Sequence, residues 1–295
     1  IDPTGRSSRR NATIISNSVA VQTGRDPSSA GIAFHWGRGP DGEPAAFFAD
    51  REGERLWFGS GTRVEDRLIL FMGRIGPGPG LGFASRGWTA FLVENPDDPP
   101  AAWEITELDT PDNPLGVSVG FAASLRQGDH LVALGSLDPV KSHPIYAARW
   151  TIGAARNGRL MEPEWWAGEA GWVPDSSRVP RWPIFEHGQS EISMHLDTVT
   201  DRFLAVHTRG FGPADVMIRA APELTGPWTP GRMLYRPPEY HRPDILIYAA
   251  KAHPELEGAD LVVTYATNSL ALGDVVADSL LYYPRFVRLE RCPAP

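Results

Sequence analysis

Short apolar runs recur along the chain, broken by Gly, Pro, Asp and Asn, and no long stretch keeps the spacing of an amphipathic helix. One unit repeats: an apolar run, a tight acidic or glycine turn, and a second apolar run. It reads LWFGSGTRVEDRLILFMG at 56–73, VGFAASLRQGDHLVALG at 119–135, SEISMHLDTVTDRFLAVHT at 190–208 and IYAAKAHPELEGADLVVTYA at 247–266. The turn acids Asp66, Asp129, Asp201 and Asp260 keep the register, at separations of 63, 72 and 59 residues. A period of that length, built from hairpins, predicts a β-propeller with four strands per blade and elaborated loops.

Each unit continues outward. Third strands are expected in FASRGWTAFLVE, IYAARW, DVMIRAA and LYYPRFVRLE, and fourth strands near Trp103, the Trp165–Trp166 pair and Trp228. Because these tryptophans recur once per unit, they are expected to wedge neighbouring blades. Upstream, ATIISNSVAVQTG and IAFHW read as the third and fourth strands of one more blade. The expectation is an all-β fold, a single five-bladed β-propeller over 1–295 whose first blade is N-terminally incomplete. Partial blade one spans 1–55, and blades two to five span 56–110, 111–180, 181–238 and 239–295. An incomplete blade predicts an unpaired inner sheet edge.

Composition narrows the function. Gly 30 and Pro 28 make about a fifth of 295 residues, too dense a punctuation for a helical bundle, while 42% hydrophobics and ten Trp supply a sizeable core. A net charge of -8 argues against nucleic acid as the main partner, since phosphate binding needs a basic face. The one basic cluster, Arg6, Arg9 and Arg10, reads as a solvated loop. The single Cys292 excludes an internal disulfide and a cysteine-based structural zinc. No apolar run reaches the length of a membrane span. No signal peptide is visible, and Ile1 reads as a processed end or the start of a fragment.

Among 36 acids, most fall in turns or Pro-rich loops, Asp97, Asp98, Glu43 and Glu52 included. Glu191 opens an innermost strand, in HGQSEISMHLD. Inner-strand starts gather at one mouth of a propeller, where apolar crowding raises a carboxyl pKa as a general acid requires. The alternative is a carboxylate satisfied by an arginine or backbone N–H of the next blade. Asp244 holds the corresponding place in RPDILIY, as a base, a pKa modulator or a turn cap, and Asp215 is a weaker candidate on the same face. Lys251 stands in a strand where a small or apolar residue is expected, so it binds a sugar hydroxyl or a carboxylate, or forms a structural ion pair. His253 shares its strand parity, and His187 and Gln189 precede Glu191. Trp88, Phe211 and Tyr248 are the rings expected to stack on sugars. Eight His without close spacing give no zinc set, and no cofactor is expected, a channel-centre cation being the one exception compatible with a propeller. Asn11-Ala12-Thr13 matches a glycosylation sequon.

The segment RAAPELTGPW at 219–228 resembles the outer-strand turn of five-bladed glycosidase propellers. ISNSVAV at 15–21, YAAKAHPEL at 248–256 and LVVTYATNS at 261–269 resemble an uncharacterised propeller family that includes endo-D-arabinanases. The resemblance implies a five-bladed fold, hydrolysis of a furanoside polysaccharide such as arabinan, and a secreted or cell-surface location. It leaves as alternatives a non-catalytic glycan-binding propeller and a protein-interaction scaffold. Members usually begin with a strand carrying a Gly-Asp-Thr-type acidic motif, which this sequence lacks.

Overall fold

The computed structural model describes residues 9, 12–79, 82–137, 142–256 and 260–290. Arg6, Arg10, Asn11 and Cys292 lie outside them. Among the described residues twenty strands form in chain order. Upstream are β1 (Val19–Thr23), β2 (Gly31–His35), β3 (Gly37–Arg38) and β4 (Pro44–Ala45). The first blade is β5 (Arg55–Val64), β6 (Arg67–Pro77), β7 (Phe83–Val93) and β8 (Ile105–Leu108). The second is β9 (Ala123–Gln127), β10 (His130–Ser136), β11 (Ile145–Thr151), β12 (Glu164–Trp166) and β13 (Trp172–Pro174). The third is β14 (Ser193–Asp197), β15 (Arg202–Thr208), β16 (Val216–Ala221) and β17 (Arg232–Tyr235), and the fourth is β18 (Ile245–Ala252), β19 (Leu261–Ser269) and β20 (Arg285–Leu289). Two short helices, α1 (Ile152–Arg156) and α2 (Leu272–Ala277), sit in connections. Within each blade the strands pair antiparallel, each beside its sequence neighbour.

The apolar runs are continuous because each blade is buried on both faces. In β6, Ile69 and Phe71 join the core shared with the second blade, while Leu70 and Met72 face the other way. In β10, Leu131 and Ala133 serve that same core and Val132 and Leu134 serve the next. A strand whose successive side chains reach opposite, equally dry faces loses the polar–apolar alternation of a one-sided sheet. The tryptophans behave accordingly: Trp165 is buried in the first seam, and Trp166 and Trp228 pack against the second. Trp103 instead lies edge-on to Phe47, with centroids 6.0 Å apart.

The propeller has four blades, which corrects the five-bladed expectation. Innermost strands β5, β9, β14 and β18 are stitched at one level. Ser60 Oγ donates to the Gly120 carbonyl, and the Ile192 amide donates to Ala122 O at 3.2 Å. The Ala252 amide donates to Ser193 Oγ at 2.7 Å, and Lys251 Nζ donates to Gly59 O at 3.3 Å, closing the ring from the fourth blade to the first. At Gly59 a Cβ would lie 2.4 Å from Phe121 Cα, so only glycine allows this approach.

The upstream segment makes no fifth blade. Among the described residues, strands β1 and β2 pair only with each other and β3 only with β4. They are too exposed on both sides to bury a blade face, with Ile32 and Phe34 at 49% and 60% exposure. What the segment does is cover the face of the first blade turned away from the second. Phe48 packs with Leu56, Met72 and Phe91, backed by Phe47 and Val19. Asn17 fixes the turn: its Nδ2 donates to the carbonyls of Phe48 and Leu56, and its Oδ1 accepts from the Phe48 amide. On the other side, Arg9 donates through its guanidinium to the carbonyls of Val275, Asp278, Ser279 and Leu281. Asp26 faces Arg288 of β20 at 3.9 Å. Arg9 is therefore bound to the last blade and not a solvated loop residue.

Candidate functional site at the channel mouth

The acids Asp66, Asp129, Asp201 and Asp260 all lie in first-to-second-strand connections, so those hairpins close on one face and the inner strands begin on the other. Glu191 lies two residues before β14, half-buried at the level where the seams are stitched. Its charge reaches two groups of the fourth blade. It favours the ammonium form of Lys251, against the burial that pushes that amine down. Burial, first, and then the Tyr282 and Glu191 charges push the Tyr248 hydroxyl up, opposed by a hydrogen bond with Asn268.

A β-bulge brings Tyr248 and Lys251 together. In a regular strand residues three apart face opposite sides. Here Tyr248 pairs with Ala266 and Lys251 with Thr264, so two residues of β18 oppose one of β19. Ala249 in the bulge takes φ +53, and the extra residue sets Tyr248 and Lys251 on one face. Phe211 adds a ring 5.8 Å from that of Tyr248. Phe211 and Tyr282 are 49% and 59% exposed, so this corner of the mouth offers apolar ring surface beside a carboxylate and an ammonium.

The other sequence candidates spread out. Asp244 precedes β18 by one residue and is exposed, 3.4 Å from Arg242; it stands seven residues before Lys251 on the same strand. Asp215 is buried and held by both oxygens on Arg236, at 2.7 and 3.0 Å, which keeps its carboxyl below the usual range. Trp88 is a core residue of the first seam, 5% exposed, away from any open surface. His253 lies just past the far end of β18, between Glu255 Oε1 at 2.9 Å and Thr264 Oγ1 at 2.7 Å. His187 is exposed and Gln189 is buried in the loop before Glu191.

Sequence reasoning missed a second constellation at the same end of the third blade. Buried His207 donates from Nδ1 to Thr208 O at 2.8 Å and accepts on Nε2 from Arg219 Nε at 3.2 Å. Burial, against that backbone bond, pushes its pKa down to about 4. Neither residue carries a telling spacing in the chain; only the cross-strand register, Ala205 with Arg219 and His207 with Met217, makes them neighbours. Among the described residues no group of three His, Cys, Asp or Glu is arranged to hold a metal ion, and no helix is long and apolar enough to cross a membrane.

A four-bladed all-β propeller with a charged, ring-lined mouth is the class that this fold and site define. The sequence matches the family described as Domain of unknown function (DUF5005) over residues 2–291, and the chain belongs to that family. This family and the blade count replace the five-bladed arabinanase-like assignment. No curated protein matches the sequence. Among solved structures, a candidate hydrolase from Bacteroides ovatus shares the fold at a TM-score of 0.60 and 16% identity, over 84% of this chain and 62% of that one. This chain thus spans less than two thirds of that protein's length. An α-L-arabinofuranosidase from Lactobacillus brevis is similar at a TM-score of 0.48 and 13% identity, over 92% of this chain and 83% of that one. The Cellvibrio cellulosa α-L-arabinanase, solved with arabinohexaose, gives 0.47 and 12%, over 80% and 74%.

Proposed function

We propose that the chain binds a glycan at the channel mouth and hydrolyses a glycosidic bond there, with Glu191 as proton donor. One observation carries this reading: a half-buried carboxylate at an inner-strand start, sharing its surroundings with Lys251 and Tyr248 and flanked by the exposed rings of Phe211 and Tyr282. Sugar sites pair ring faces with a few convergent polar groups, and protonation of the leaving oxygen needs an acid in a partly dry setting. The substrate proposed is a furanoside polymer such as arabinan, whose sugar rings would stack on Phe211 and Tyr282. Asp244 is the second carboxylate proposed, and to act as base or nucleophile it must come within about 5–10 Å of Glu191.

Glu191→Gln tests the assignment, because it keeps shape and removes the transferable proton. Turnover of arabino-oligosaccharides should fall roughly 10²–10⁴-fold while the fold survives, and an aryl glycoside with a good leaving group should restore it. Unchanged turnover overturns the reading.

A second reading, a glycan-binding propeller without catalysis, has its own support. Asp215 and Glu54 are committed to Arg236 and Arg74, and Asp244 faces Arg242. Under it, Glu191→Gln weakens sugar binding and no wild-type turnover is seen on any furanoside.

A further inference from the structure

Arg219, in the middle of β16, carries a guanidinium whose partners are all neutral. Nε donates to His207 Nε2 and Nη2 to the His187 carbonyl, each at 3.2 Å, and the group lies 5.0 Å from the centroid of the Phe185 ring. Among the described residues no carboxylate pairs with it, whereas Arg67, Arg74, Arg149, Arg181 and Arg236 each have one. His207 cannot serve as the counter-charge. Its Nδ1 faces a carbonyl and so holds the proton, which leaves Nε2 as a neutral lone pair for Arg219. Arg219 is half-buried, and partial burial of a cation without a counter-ion is unfavourable.

Nη1 takes no protein partner among the described residues. The His187 carbonyl that steadies Nη2 belongs to the loop that reaches Glu191 four residues later.

We infer that Arg219 is a binding position for an oxyanion on the glycan, either a uronate carboxylate or a sulfate ester. Two coplanar N–H donors on the Nη1–Nη2 edge match two oxygens of such a group, and the ligand supplies the charge that the protein withholds. The inference rests on reading the mouth as a glycan site, and adds an acidic substituent to the polymer proposed there.

Calorimetric titration of wild type, Arg219→Gln and Arg219→Lys with three probes tests it: a neutral arabino-oligosaccharide, an oligogalacturonide and a sulfated oligosaccharide. One acidic probe should bind more tightly than the neutral one, and which does so identifies the source of the charge. Affinity for it should drop about tenfold or more in Arg219→Gln, with Arg219→Lys between, because lysine keeps the charge without the fork. Thermal unfolding of each variant confirms folding. Equal affinity for neutral and acidic probes in wild type, or undiminished acidic binding by Arg219→Gln, overturns the inference. The two readings fail separately. If no oligosaccharide binds but free galacturonate raises the wild-type melting temperature and not that of Arg219→Gln, the oxyanion position stands and the glycan reading falls. If Glu191→Gln abolishes turnover of neutral sugar while Arg219→Gln binds every probe normally, the reverse holds.

Discussion

Lys251 and Gly59 are 192 residues apart in the chain, and the Nζ of one donates to the carbonyl of the other at 3.3 Å across the fourth-to-first-blade seam. The same lysine lies within reach of the Glu191 charge, so one buried amine joins ring closure to the mouth. The stem of Lys251→Met fills similar space without donating. Removing a hydrogen bond from a charged donor costs about 1.5–3 kcal/mol, so the urea midpoint should fall accordingly. A variant as stable as wild type would show that the seam holds without its amine.

Gly59→Ala should be severe for its size. The added Cβ meets Phe121 Cα at 2.4 Å, a backbone contact that cannot swing away, and overpacking of this kind costs about 1–3 kcal/mol. Gly273→Ala, in α2 where a Cβ meets nothing within 4 Å, is the matched control and should be neutral or stabilising by up to ~1 kcal/mol. Comparing the two melting temperatures checks this.

Phe48→Ala leaves a hole against the exposed-side face of the first blade, beside Leu56, Met72 and Phe91. Phe48 is 5% exposed, and a buried Phe→Ala change typically costs about 3–5 kcal/mol. Asn17→Ala should cost about 1–3 kcal/mol, since it strands the Phe48 amide and two carbonyls. Hydrogen exchange should then rise first over β5. Slow exchange there in both variants would mean that the upstream segment is ornamental.

His207 sets an acid limb on stability. Its folded pKa, about 4, lies below the ordinary value of 6.5, so between those pH values the unfolded chain binds a proton that the folded chain refuses. The contribution is complete above pH 6.5 and is lost as pH falls through the folded pKa, to a total of roughly 3 kcal/mol. Denaturation curves from pH 7 to 4 should show this slope, and His207→Gln should flatten it.

The hairpin repeat was legible because its signal is local: turn acids, adjacent apolar runs and glycine spacing all lie within about twenty residues of one another. The blade count was not. Segments ATIISNSVAVQTG and IAFHW do contain strands, β1 and β2, but whether a strand joins a blade depends on which face finds a partner, and theirs stay exposed. The site divides in the same way. Placing Glu191 before an inner strand needed only the repeat. Setting Tyr248 beside Lys251 needed a bulge that reverses strand parity, and the His207–Arg219 contact needed a register between strands. Trp88 misled because a ring in a strand looks the same in sequence whether it faces a mouth or a seam.

The grip of Arg9 on the carbonyls of residues 275–281 fixes when this molecule can be finished. At about 5–20 residues per second, a ribosome makes the last blade tens of seconds after Arg9 is incorporated. Through that interval Phe48 can already cover Leu56, Met72 and Phe91 of the first blade, but Arg9 and Asp26 lack their partners in the fourth. Three blades can stack as they emerge, but the circle is completed once, by contacts spanning nearly the whole chain. Nascent protein is therefore most exposed to aggregation until β18–β20 have emerged, and slowing translation after β17 should lower soluble yield more than slowing it within the first blade.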